Sequence, residues 1–205
     1  MTVIVVANPK GGVGKSTLST QIAAYLAAQG RAVSLGDLDP QRSASAWLSI
    51  RPDTAPHIQP WNIDVTKPSA PPTADEVIDT PAGLEGERRQ AALALADKVL
   101  VPVLPSIFDI YAIKDFIDAL KSERAVKRGR IDVAVIGMRV DGRTRAADQL
   151  QRFVDALEVP VLGNLRDTQN YIQLAAHGLS LWDVSNVKID KDVEQWAPLI
   201  AWLEG

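Results

Sequence analysis

The 205-residue chain has no cysteine. That absence removes structural disulfides, thiolate zinc sites and cysteine-ligated iron–sulfur clusters in one step. It is compatible with the cytoplasm. Long apolar runs are missing as well. The N-terminal VIVVA stretch stops at Asn8-Pro9, too short for a secretion signal or a membrane span. There is no internal repeat. Aromatic residues are scarce at 5%, and the tryptophans at 47, 61, 182, 196 and 202 show no period, which suits core or rim positions better than a base-stacking platform. An overall excess of basic charge is also lacking: the net charge is −3, so the chain as a whole does not coat nucleic acid. What remains is 46% apolar and 23% charged residues, an ordinary composition for a globular chain with a substantial core, read here as one domain over 1–205.

The charge is unevenly placed. Residues 121–152 hold 9 basic and 4 acidic residues, whereas 153–205 hold 3 basic and 8 acidic. One basic segment therefore sits on an acidic background. A solvated helix face is the ordinary explanation of a single charge run.

Short β-branched runs alternate with helical patterns. Strands are expected over 3–7, 32–36, 76–79, 98–104, 133–138 and 160–163. Helices are expected from Lys15 to Ala28, ended by Gly30, and over 86–96, 110–122, 144–157, 168–177 and 191–203. Strands that are apolar throughout are those covered by helices on both faces. The alternation predicts an α/β fold with a doubly wound, mostly parallel sheet. The third strand is expected to be short, since Asp75-Glu76 leaves only Val77-Ile78 before Asp79. Six prolines within 52–72 read as an irregular surface crossing.

After the first strand comes NPKGGVGKST. A phosphate-binding loop of the usual kind has Gly, four residues, then Gly-Lys-Ser/Thr. Here Pro9 stands where that first glycine belongs, and a second lysine, Lys10, follows it. Gly11, Gly12 and Gly14 allow a tight turn with inward N–H groups. The helix N-terminus behind them favours an anion. Lys15 is expected to reach β- and γ-phosphates, and the Ser16 hydroxyl to hold Mg²⁺. Acidic residues that hold magnesium or orient water are needed too. Asp37-Leu38-Asp39-Pro40-Gln41 and Asp79-Thr80-Pro81-Ala82-Gly83 follow the second and third strands, at the strand ends where open α/β sheets place ligands.

NPKGGVGKST, DLDPQ and VIDTPAG, in that order, resemble the ParA/MinD superfamily of deviant Walker A ATPases, a SIMIBI-type branch of P-loop NTPases. LVPVLPSIFDIYAI and LRDTQNYIQLAAHGLSLWDV resemble later family segments. The resemblance implies ATP and Mg²⁺ as ligands and a homodimer that sandwiches two nucleotides. It makes Lys10 the signature lysine that touches the partner's phosphates, and Lys15 the lysine of its own site. Gly11, Gly12, Val13 and Gly14 complete the nucleotide loop with Ser16, and Thr17 contacts the α-phosphate. Asp39 positions the attacking water, while Asp37 and Asp79 hold magnesium. Lys10, Lys15 and Asp39 are thus the expected catalytic set. A family Asn that contacts adenine is replaced near Met138-Arg139.

Within the superfamily, the missing cysteines exclude nitrogenase-type reductases, iron–sulfur scaffold ATPases and arsenite-pump ATPases. Three tyrosines, none in the tail, do not suit the tyrosine-kinase branch. The tail, KIDKDVEQWAPLIAWLEG, is amphipathic but acidic, unlike a basic membrane-surface helix. It is expected to dock on the domain, so no stable membrane association is expected. The ParA branch implies nonspecific double-stranded DNA binding in the ATP dimer, a cytoplasmic, nucleoid-associated location, and a ParB-like or other cargo adaptor. DNA candidates are Lys121, Arg124, Lys127, Arg128, Arg130, Arg143 and Arg145, with Arg166 matching a family DNA contact. Starting directly at the first strand, the chain is expected to lack the helix-turn-helix extension of longer relatives. The alternatives are a MinD-like membrane-surface ATPase and an ATP-dependent metabolic ligase on the same scaffold.

Overall fold

A computed structural model describes residues 1–63, 73–154 and 157–205. In chain order the elements are β1 (Val3–Val6), α1 (Lys15–Ala28), β2 (Val33–Asp37), α2 (Ser43–Ser49), β3 (Gln59–Trp61), β4 (Asp75–Asp79), α3 (Gly86–Leu95), β5 (Lys98–Val103), α4 (Ile107–Ser122), α5 (Arg124–Lys127), β6 (Asp132–Met138), α6 (Arg145–Val154), β7 (Val161–Leu165), α7 (Gln169–Ala175), α8 (Asp190–Glu194) and α9 (Ala197–Glu204). The strands form one sheet in the order β3-β2-β4-β1-β5-β6-β7, and every pairing is parallel. The expected fold class holds, with the sheet wholly parallel.

Apolar strands put side chains into cores on both faces. One core gathers α1, α2 and the C-terminal helices against Ile4, Val6, Leu100 and Ile136. The other gathers α3, α4 and α6 against Val5, Ile78, Val101 and Val135. Helix α1 is buried nearly all round, so its polar side chains need internal partners. Gln21 supplies two: its side-chain oxygen accepts the Leu181 N–H at 3.0 Å, and its carbonyl accepts the Trp182 indole N–H at 3.0 Å.

Four expectations need correction. The 52–72 stretch is not wholly irregular: Gln59–Trp61 adds an edge strand, and residues 64–72 lie outside the described residues. Pro60 is tolerated because an edge strand has a free side. Gly36 on β2, opposite Trp61, leaves room for the Trp61 ring, which a Cβ would meet at 3.0 Å. Secondly, β4 runs five residues, longer than the short strand expected. Asp75 fits into it because its carboxylate accepts the Thr2 N–H at 2.9 Å and pairs with Arg31. Thirdly, the expected helix over 191–203 breaks at Gln195-Trp196. Pro198 in the first turn of α9 has no N–H to continue the α8 ladder. Trp196 is fully buried at the break and donates its indole N–H to the Tyr171 hydroxyl at 2.9 Å. Finally, α2 and α5 are additional short helices. The C-terminal segment does dock, with Trp196, Leu199 and Leu203 in the core.

Chain order leaves β1 outward for β2 on one side and later crosses β1 from β4 to β5 on the other. This is the topological switch point at which open parallel sheets bind ligands. The carboxyl ends align there: Val6 pairs with Asp79, and Asp79 with Asp37.

Candidate functional site

The loop after β1 is held by its own neighbours. Asn8 is buried; its side-chain amide donates to the Pro102 carbonyl, and its Oδ1 accepts the Lys10 N–H at 2.7 Å. The Pro9 carbonyl accepts the Gly83 N–H at 2.8 Å, so the loop after β4 hangs from the loop after β1. Glycine is obligatory at two places. Gly12 has φ +74°, and Gly14 has φ +96° with Met138 Cε only 2.7 Å from where a Cβ would stand. Gly11 has an ordinary φ, and a Cβ there would meet only Ala82 Cβ, at 3.9 Å. Val13 is fully buried as a core side chain, so it offers a ligand only its backbone.

The two lysines point to different places. The Lys15 ammonium is buried and donates to the Lys10 carbonyl at 2.8 Å. Burial lowers its pKa, against the attraction of Asp79 and Asp39. Lys15 lines a cavity of about 290 Å³ together with Gly11, Gly12, Gly14, Ser16, Thr17 and Asp39. Lys10 is not among that lining. Its ammonium lies 3.4 Å from Asp109 Oδ1, in the first turn of α4.

The acids also divide. Asp79 is fully buried and adjoins Asp37 across the β2–β4 ladder. Its Oδ1 accepts the Ser19 hydroxyl at 3.1 Å, and its Oδ2 has no partner. Burial pushes its pKa up to about 7, helped by Asp37 and opposed by the Ser16 and Ser19 hydroxyls and by Lys15. Asp37 is already committed: its two oxygens accept the Asp39 and Ser45 N–H groups at 3.0 and 2.8 Å. It therefore shapes the loop that carries Asp39. Asp39 lies at the cavity rim, with Oδ1 on the Gln41 N–H at 2.9 Å. Among the described residues no three His, Cys, Asp or Glu side chains form a metal cluster. An unpartnered buried carboxylate oxygen close to a serine hydroxyl leaves the pocket short of positive charge, which suits a hydrated cation shared with phosphate oxygens. The residues fit Mg²⁺ with a nucleotide.

A second cavity, about 320 Å³, shares Gly14, Thr17 and Arg139 with the first. It is walled by Met138, Arg166, Asp167 and Tyr171. The two make a cleft with a polar phosphate end and a more apolar end. Arg139 enters it from a left-handed backbone with φ +53°. A third cavity of about 470 Å³ between α2 and β3 contains none of the expected site residues.

The basic candidates do not form one patch. Lys121, Arg124, Lys127, Arg128 and Arg130 precede β6 and lie at the amino ends of the strands. Arg143, Arg145 and Arg166 follow β6 and β7 at the carboxyl ends. Three are engaged with partners among the described residues. Lys121 pairs with Glu158 at 2.8 Å, and Arg143 with Asp141 at 3.0 Å. Arg166 donates to Asp192, a fully buried carboxylate that Asn170 also donates to. Arg124, Lys127, Arg128, Arg130 and Arg145 stand exposed.

A glycine loop between β1 and α1, facing acids at the ends of β2 and β4, is the geometry of a nucleotide-binding domain. Residues 4–181 match the family described as the CobQ/CobB/MinD/ParA nucleotide binding domain. The chain belongs to that family. Among curated proteins it is 31% identical over 189 residues to the maintenance of carboxysome distribution protein A of Halothiobacillus neapolitanus, covering 88% of this chain and 87% of that one. It is also 31% identical over 183 residues to the chromosome-partitioning ATPase Soj of Thermus thermophilus, covering 72% and 73%. These relatives place it with the ParA-type partition branch. The fold of apo McdA from Cyanthece superposes with a TM-score of 0.76 over 99% of both chains at 16% identity.

Within this CobQ/CobB/MinD/ParA domain, three positioning residues escape motif reading. Asn8 directly precedes the loop, and a side chain held between two backbone partners is the Asx-turn signal that marks it. Ser19 is one turn into α1, on the face toward Asp79. Asp109 falls within the LVPVLPSIFDIYAI segment, but nothing local marks Lys10 as its partner, because only the fold brings α4 against the loop.

Proposed function

We propose that this chain is a ParA-type positioning ATPase. ATP with Mg²⁺ closes two copies into a sandwich dimer, and the dimer holds double-stranded DNA without sequence preference. A ParB-like or other cargo adaptor stimulates slow hydrolysis and releases it. The observation that carries this reading is the division of the lysines: Lys15 lines its own cavity, and Lys10 does not. An ammonium on the loop's outer side serves phosphates that arrive from outside the subunit. There it supplies charge to the transferring phosphoryl group, as an arginine finger does elsewhere. Lys15 and the loop amides hold the triphosphate. Ser16 and Asp79 hold the metal, with Asp37 shaping the loop behind them, and Asp39 orients water from the rim.

The exposed Arg124, Lys127, Arg128 and Arg130 support the DNA reading, because neighbouring exposed cations bind phosphates as a set. The C-terminal helices support the reading without a membrane-docking tail, because Trp196, Leu199 and Leu203 are buried in the core. The test is retention on nonspecific duplex DNA with ATP and Mg²⁺ against ADP and Mg²⁺. Strong retention with ATP alone is expected; equal retention in both states sinks the reading.

A further inference from the structure

Three contacts fix residue 10 within its own chain. Its N–H goes to Asn8, its carbonyl takes the Lys15 ammonium, and its own ammonium sits on Asp109. The Asp109 side chain is only 12% exposed and the Lys10 side chain 35%, so the pair is half shielded from water. Asp109 is fixed from behind, since its N–H donates to the Ser106 carbonyl at 3.0 Å in the first turn of α4, where the helix end favours negative charge.

We propose that Asp109 is a positioning residue that parks Lys10 and so sets the nucleotide concentration at which two subunits close. This rests on the reading of Lys10 as the lysine that serves the partner's nucleotide. A lysine ammonium is one point charge on a flexible stem. It cannot lie on Asp109 and on a phosphate of a second subunit at once. Each closure therefore breaks two such pairs, one per subunit, and brings two carboxylates toward triphosphates. A half-exposed pair is worth a factor of about two to five. A symmetric dimer squares that factor, so the parked state weakens closure by about four- to twenty-five-fold. The consequence is a threshold: protein with partly filled sites stays monomeric.

The test uses the full chain and Asp109→Asn, which keeps the shape and removes the charge. The first measurement is the rate at which an amine-reactive reagent labels Lys10 in nucleotide-free protein, read by peptide mass spectrometry. It should rise severalfold in Asp109→Asn and return toward the wild-type rate in Asp109→Glu. The second is the concentration of a non-hydrolysable ATP analogue, with Mg²⁺, that gives half-maximal dimer by sedimentation. It should fall about two- to fivefold in Asp109→Asn, because each dimer takes up two nucleotides. That gain should be lost in Asp109→Glu, which restores the charge facing Lys10. An unchanged labelling rate means that no latch exists, and an unchanged or raised half-point means that Asp109 does not oppose closure; either overturns the proposal. If wild type stays monomeric at saturating analogue while labelling responds as expected, the dimer reading fails and the threshold fails with it, although the contact itself stands.

Discussion

The Lys15 ammonium lies 2.8 Å from the carbonyl oxygen of Lys10, five residues earlier on the same loop. One neutral carbonyl is a poor partner for a buried cation, so an arriving phosphate wins the exchange. Lys15→Ala should weaken nucleotide binding to the monomer by roughly 10- to 100-fold. Lys10→Ala should leave that binding within about threefold and abolish the dimer. Fluorescent-nucleotide titration and sedimentation, run on both variants, separate the two roles.

Asp79 makes the nucleotide-free protein pH-sensitive. Its folded pKa is raised from 3.8 to about 7, so the native state binds more protons than the unfolded chain between those values. Stability from this group is full below about pH 4 and declines as pH rises toward 7. Asp79→Asn removes that decline. It should stabilise the nucleotide-free protein at pH 8 by roughly 1–3 kcal/mol, a rise of about 3–10 °C in Tm. Thermal melts from about pH 4.5 to 8.5 check the sign; a variant less stable than wild type at the alkaline end refutes it.

Two glycines of one loop should behave differently. Gly14→Ala faces a positive φ and the Met138 Cε, and should cost roughly 1–3 kcal/mol. Gly11→Ala meets only Ala82 Cβ at 3.9 Å and should cost less than about 0.5 kcal/mol. Urea melts without nucleotide make the comparison.

Arg166 needs a structural control before any DNA result is read from it. Arg166→Ala leaves the buried Asp192 with Asn170 as its remaining side-chain donor and should destabilise the fold by roughly 2–3 kcal/mol. Asp192→Asn with Arg166→Ala should recover part of that loss in chemical denaturation.

The exposed cluster around α5 is the cleaner DNA test. Alanine at Arg124, Lys127, Arg128 and Arg130 should lower DNA affinity. The slope of log K against log salt should flatten by about 0.9 for each phosphate that is no longer neutralised. Arg143→Ala, already paired with Asp141, should change the slope by much less. An unaltered slope in the quadruple variant places the DNA interface elsewhere.

Much of the site is legible in the sequence because its signals are local. Val3–Val6, the glycines and the Lys15–Ala28 helix lie within one stretch, and Asp37 and Asp79 each end an apolar run. The role of Asp37 is not legible: only the path of the following turn shows that its oxygens are taken by Asp39 and Ser45. Edge strand β3 is hidden by Pro60, which reads as a breaker unless the strand is known to lie at the rim. Asp109 acts on Lys10 across about a hundred residues of chain, beyond any periodicity. The scatter of basic residues to both ends of the sheet follows from strand direction, since residues before β6 and after it fall on opposite sides. Charge counting over 121–152 merges them.

Helix α4 spans that same divide. Its sixteen residues, Ile107–Ser122, make a rod of about 24 Å. One end grips Lys10 through Asp109; the other leads within two residues into Arg124 and the exposed turn. The loop lysine and the exposed arginines therefore stand at the two termini of one packed element, with Ile110, Ile113, Ile117 and Leu120 buried between them.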